Sequence, residues 1–152
     1  MPKSILDAKH RAEIARRFLS LTPETPRRWG SLTVDGMLCH VADAMEQGLG
    51  RRSDRDRSNR FMRTVLKFLV VYVLPMVKGA PTSEKMDPSK EGTRPHDLDH
   101  DRNRVLSLLE ESGCWPADKP MADHPAFGPL TVAQRGRLTW KHLDYHLRQF
   151  GA

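Results

Sequence analysis

Two histidines four residues apart, His142 and His146, give the chain its sharpest chemical signal. At i and i+4 of a helix their Cβ atoms lie ~5–6 Å apart on one face. That spacing suits two ligands of one metal ion, which each imidazole approaches to roughly 2.0–2.1 Å if the ion is zinc. A helical wheel at about 100° per residue gathers Arg137, Lys141, Asp144 and Arg148 on one side and turns both histidines to the other, beside Leu138, Leu143 and Phe150. The pair is therefore expected to face the core, where an imidazole without a partner is costly. His40 lies among Met37, Val41 and Ala44, the apolar stripe of another segment, and also points inward. Three histidines from two helices can make a facial site with positions open to water or substrate, unlike a closed structural zinc site. The competing reading is a set of hydrogen-bonded core histidines.

The chemistry of such a site follows from charge. Three neutral imidazoles leave a divalent ion uncompensated, so the open positions favour hydroxide, thiolate or carboxylate. Coordination either keeps a thiol deprotonated for nucleophilic transfer or lowers the pKa of bound water to ~7 for hydrolysis. Asp43, one turn beyond His40, is a candidate to orient a ligand or act as a base, against a solvated surface carboxylate. His124, in a proline-rich stretch, is a candidate substrate contact or a structural residue. Asp144 falls on the charged face and is not expected to ligate. A second pair, His96 and His100, sits among Asp97, Asp99 and Asp101 and is expected to straddle a helix start, with His96 outside the helix. His10 reads as a core or boundary residue. Cys39 adjoins His40 but adjacent helical residues do not share a face, and Cys114 lacks a local triad signature; neither is expected to be a nucleophile.

The elements that must carry these residues read as helices. Leu6, His10, Ile14, Phe18 and Leu21 recur at helical spacing, and Thr22-Pro23-Glu24-Thr25-Pro26 ends that segment. Thr33 is a plausible N-cap for a second helix running to about Gly48. A third is expected over Asn59 to Met76, and a fourth over Asp97 to Ser112 with Gly113 as its stop. Thr131-Val132-Ala133-Gln134 fits a capping box opening the last helix. No strand alternation and no internal repeat competes, so the fold class expected is all-α: a four-helix bundle with extra short helices and two long loops. Those loops, Lys78 to His96 and Gly113 to Leu130, are long for a bundle. Trp115, Phe127 and four prolines in the second favour a docked loop.

At 152 residues the chain fits a single domain over 1–152, and it carries 25 Lys+Arg against 19 Asp+Glu, a formal charge of +6. With 38% apolar and 29% charged residues it is not a disordered composition. Seven histidines against two cysteines leave histidine-based metal sites open and make a Cys-rich zinc module implausible. Two isolated thiols and an N-terminus without a signal-peptide pattern make the cytoplasm the expected compartment. Phe61 to Val77 contains Arg63, Lys67 and Pro75 and falls short of the ~20 residues of a spanning helix, so it reads as a buried helix and no membrane partner is expected. Residues 51–60 hold five arginines and two aspartates, enough to attract phosphates at low salt. No aromatic is interleaved and no base-reading motif follows, so a solvated loop, or steering of an anionic substrate, is preferred to nucleic-acid binding.

Two segments resemble a known family. Trp29-Gly30-Ser31-Leu32-Thr33 with Met37-Leu38-Cys39-His40, and His124-Pro125-Ala126-Phe127-Gly128-Pro129-Leu130-Thr131 with the run His142 to Phe150, are similar to a branch of unknown function in the DinB/YfiT-like superfamily. The resemblance implies a four-helix-bundle core and a divalent ion, zinc or nickel, held by His40, His142 and His146. Tyr145 stands where many relatives have another histidine. Characterised members of the superfamily include metal-dependent transferases acting with low-molecular-weight thiols and a thiol-dependent isomerase. The reading is thus a metal-binding protein taking a small anionic or thiol substrate, as transferase or hydrolase. The alternatives are a non-catalytic helical interaction module and a basic protein that binds nucleic acid or an acidic partner; a homodimer is compatible with each.

Overall fold

The computed structural model describes residues 2–152 and is all-helical, with no strand among the described residues. Four α-helices form the framework: α1 (Ala8–Leu19), α2 (Val34–Gly48), α3 (Leu98–Gly113) and α4 (Val132–Gln149). Each starts on a side-chain cap that satisfies free amides: Asp7 for Lys9 and His10, Thr33 for Gly36, Asp97 for His100, and the Thr131/Gln134 box. One core joins them, with Ile14 and Phe18 from α1, Met37, Leu38 and Val41 from α2, Val105 and Leu109 from α3, and Leu143 and Leu147 from α4. Each such side chain contributes roughly 1.5–3 kcal/mol over its exposed state. α2 lies innermost and is buried on nearly every face.

Three expectations need correction. Leu6 precedes the Asp7 cap, off the helical period, and Ile5 enters the core in its place. Gly113 ends α3 without a left-handed backbone. Its small size serves packing, because a Cβ there would meet the carbonyl oxygen of Ile5 at 2.7 Å and the Arg11 side chain at 2.1 Å. The third helix is shorter than expected and is not buried. It spans 60–73, widened into π-helical turns at Met62–Leu66 and Leu69–Val73, and stops where Leu74 turns extended before Pro75. Leu66 and Val70 pack on a small second cluster of Phe127, Leu130 and Leu138, while Phe61, Val65, Phe68 and Tyr72 face outward. No helix among the described residues is long and apolar enough to cross a membrane.

Both long loops are docked. Residues 78–96 carry a short 3-10 turn, Glu84–Met86, packed on α2. In the second loop Ala122 donates its amide to the Gly48 carbonyl, and Phe127 is buried over a tight turn in which His124 and Gly128 exchange backbone hydrogen bonds. Of the arginine-rich stretch, Arg51 pairs with Glu111, Arg52 with Asp43 and Arg57 with Asp54, so much of its charge is engaged within the fold.

Candidate metal centre

α2 and α4 bring His40, His142 and His146 together, the one cluster of this kind among the described residues, with ligand atoms within 4.8 Å of one another. The Nε2 of His142 lies 3.1 Å from the Nε2 of His40 and 3.1 Å from the Nε2 of His146. The outer nitrogens decide what these contacts are. His40 Nδ1 is 2.9 Å from the Met86 carbonyl oxygen, an acceptor only, so it carries the proton and leaves a lone pair on Nε2. His146 Nδ1 is 2.9 Å from Gln149 Oε1 and is fixed in the same sense. A neutral His142 has at most one proton to give on Nε2, so at least one of the two short contacts sets lone pair against lone pair. A cation satisfies all three at once. Nitrogens ~2.0–2.1 Å from one zinc ion stand roughly 2.9–3.4 Å apart, depending on coordination number, and both 3.1 Å edges fall in that range. Burial pushes the pKa of all three imidazoles down, that of His146 to about 3, so they stay neutral as ligands must.

None of the groups that support the cluster was named as such from the sequence. Gln149, three residues beyond His146, was legible as an i, i+3 partner. Gly30 is held at φ +86° directly against it, where a Cβ would fall 2.0 Å from Gln149 Nε2, so only glycine fits there. This accounts for the Trp29-Gly30 motif: the turn closes on the side chain that orients His146. Trp29 adds an indole N–H to the Tyr145 hydroxyl at 3.4 Å, and Tyr145 meets His146 edge to face at 5.0 Å. The Met86 carbonyl had no sequence signal, being backbone from a distant loop.

The histidines open into a cavity of about 600 Å³ whose walls are mainly apolar, including Trp29, Met45, Val70, Met76, Phe127 and Leu138. Arg135, two turns before His142 on the same helix, lines it too and is 6% exposed. Its guanidinium donates to Gln47 Oε1 and the Ala122 carbonyl, leaves Nε without a partner, and has no carboxylate within ion-pair distance among the described residues, Asp123 acting on it only from farther away. Burial lowers its pKa to about 10, which still leaves it cationic near neutrality. Spacing alone could have flagged it, because positions 135 and 142 share a helical face. His124 also lines the cavity and stacks on Phe127 at 4.7 Å. Its Nδ1 accepts from the Ala126 amide, so the neutral ring carries its proton on Nε2.

Residues 6–152 match the family described as protein of unknown function (DUF1569). The chain belongs to that family. No curated protein and no solved structure matches it. In this DUF1569 chain several sequence candidates lie away from the cavity. Asp43 is neither solvated nor a cavity residue: it is fully buried and accepts from the Thr93 amide and hydroxyl and from Arg104, with Arg52 at 3.1 Å. Asp144 pairs with Arg17 and Arg148. His96 and His100 flank the start of α3, each against an aspartate, and are largely exposed. Cys39 is buried, its thiol pushed up to about 12 chiefly by desolvation, and Cys114 is exposed outside the cavity.

The environment of His124 makes a pH prediction. Burial first, then Arg135 and Arg57, pushes its pKa down to about 3, against an ordinary 6.5 in the unfolded chain. Between those values the unfolded chain binds the extra proton, so this contribution is complete above pH 6.5 and is lost as pH falls toward 3, at about 1.4 kcal/mol per pH unit. Metal-free His124→Gln, which keeps an acceptor for the Ala126 amide, is expected to show a stability-versus-pH slope shallower than wild type by about that amount. Urea titrations across this range measure it, and equal slopes would refute the assignment.

Proposed function

We propose that this chain is a DinB-like metalloprotein in which His40, His142 and His146 hold one divalent ion, zinc or nickel, and that it acts as a metal-dependent transferase using a low-molecular-weight thiol, or as a hydrolase. The observation that carries the reading is the convergence of three Nε2 atoms at two 3.1 Å separations, with two of the tautomers locked by outer acceptors. Such an ion, when bound, supplies Lewis acidity and keeps a thiol or water deprotonated near neutral pH.

The chain's own residues define what would be bound there. Neither cysteine is in the cavity, so a thiol nucleophile there would come from a ligand. The cavity's one carboxylate, Asp54, is tied to Arg57 at 3.3 Å and is not a free base. Arg135 adds a buried positive charge that, among the described residues, has no carboxylate in ion-pair contact and feels only the more distant Asp123, which favours an organic anion over a neutral substrate. His124, held neutral, offers an N–H to orient that ligand and does not titrate near neutrality. The apolar walls and the volume of about 600 Å³ hold a small thiol with an acceptor, which supports transfer over hydrolysis.

The test is metal analysis of the untagged full chain, purified without chelator and reconstituted with zinc or nickel. One ion per folded chain is expected; no stoichiometric uptake of either ion would sink the proposal.

A further inference from the structure

The 60–73 helix is apolar over most of its circumference, outside the side that carries Arg60, Arg63, Thr64 and Lys67, yet much of that apolar surface is uncovered. Its inner side packs on Phe127 and Leu138, whereas Phe61, Val65, Phe68 and Tyr72, at i, i+4, i+7 and i+11, form one outward stripe. Phe61, Phe68 and Tyr72 are 58%, 57% and 43% exposed. Seven of the eight large exposed apolar side chains among the described residues lie between 61 and 77. A patch so concentrated calls for a partner.

The surrounding charge says which one. Residues 57–83 contain Arg57, Arg60, Arg63, Lys67 and Lys78 and no aspartate or glutamate. α4 adds Arg137, whose guanidinium lies 4.9 Å over the Tyr72 ring, and Lys141, which donates to the Val70 and Leu74 carbonyls. The acid beside the helix, Asp56, is already paired with Arg63 at 2.7 Å. A second copy docked about a two-fold axis would set this cationic rim against itself with no acid from 57–83 to meet it. An aromatic stripe bordered by Lys and Arg instead matches the chemistry of an anionic bilayer surface, with rings at the acyl boundary and cations among the phosphates. At fourteen residues, with Arg63 and Lys67 inside it, the helix would lie in the plane of the surface and not cross it.

We propose that the 60–73 helix and the residues to Val77 dock this protein reversibly onto anionic lipid membranes. Docking does not depend on the metal reading, but it would bring the cavity to the bilayer, since Val70, Pro75, Met76 and Val77 line its wall.

The experiment is flotation of the full chain with phosphatidylglycerol vesicles and, separately, with pure phosphatidylcholine vesicles at low salt. The expected partition onto phosphatidylglycerol is at least ~10-fold greater and declines as salt rises. Phe68→Ser with Tyr72→Ser is expected to reduce it ~10-fold or more, and Arg60→Gln with Lys67→Gln to flatten its salt dependence. These side chains are surface residues, so unchanged thermal melting of the variants accompanies the expected result. The proposal is overturned if wild-type protein ignores both vesicle types, if it partitions equally onto both, or if the Phe68/Tyr72 variant floats like wild type. It is also overturned if the patch pairs with a second copy, seen as a sedimenting dimer that Phe68→Ser dissociates while vesicles take up no protein.

Discussion

Replacing His142 by alanine is expected to end stoichiometric metal uptake while costing the metal-free protein little stability. His142 is the hub of the cluster, with its Nε2 3.1 Å from both other ligand nitrogens. Without it, His40 and His146 remain anchored to Met86 and Gln149 but offer only two donors from separate helices. The loss should exceed the 10–100-fold that removal of an outer hydrogen-bond partner costs, so Gln149→Leu is the graded comparison and should retain weakened binding. In the metal-free chain the same substitution removes an opposed pair of lone pairs, which offsets part of the packing lost with the ring. Metal at ~1,000 times its dissociation constant stabilises a native state by about 4 kcal/mol. In a domain of this size that corresponds to roughly 8–16 °C in melting temperature. Wild type should show this rise on adding zinc or nickel and His142→Ala should not. An alanine variant that binds one ion as tightly as wild type would dismiss the three-histidine site.

Asp43→Ala is expected to destabilise the fold by about 3 kcal/mol, the lower end of what removing one partner of a buried ion pair costs. The carboxylate is 0% exposed and accepts from the Thr93 amide at 2.8 Å, the Thr93 hydroxyl at 2.6 Å and Arg104 at 2.8 Å, with Arg52 at 3.1 Å. It therefore ties α2 to α3, to the 78–96 loop and to the arginine-rich stretch. The lower figure applies because Glu46 stays beside both guanidiniums, 2.9 Å from Arg104 and 3.9 Å from Arg52. Asp43→Asn keeps the shape and some of the hydrogen bonds and should fall between. Chemical denaturation measures the loss, with metal content of the folded fraction as the second readout. A structural role predicts a lower midpoint with metal stoichiometry intact; a normal midpoint with altered ligand binding would return Asp43 to the site.

The error over Asp43 and the correct inward placement of His142 have one origin. Wheel reasoning assumes a helix with one wet face, which α4 has: Arg148 is exposed and His146 buried. α2 is buried on nearly all sides, so a polar residue off its apolar stripe meets another element and not water. The 60–73 segment fails in the opposite direction. Its apolar arc is wide enough to suggest burial, and nothing local reveals that its neighbours cover Leu66, Val70 and Val71 but leave Phe61, Val65, Phe68 and Tyr72 open. Gly113 likewise carries the mark of a helix stop, yet it is small because α1 and the Ile5 carbonyl press against it.

From sequence alone came the helical class, the caps at Thr33 and Thr131, the inward pair on α4, and His40 as a third inward imidazole. All of these depend on periodicity or on hydrogen bonds within a few residues, interactions that chain connectivity already encodes. Tertiary structure decided that the three Nε2 atoms meet, that Met86 and Gln149 lock two of their tautomers, and that Arg135 is buried without a direct ion-pair partner among the described residues. It also decided which faces of the 60–73 helix stay uncovered. Those features join residues as far apart as His40 and His142, and such distances exist only once the helices have packed.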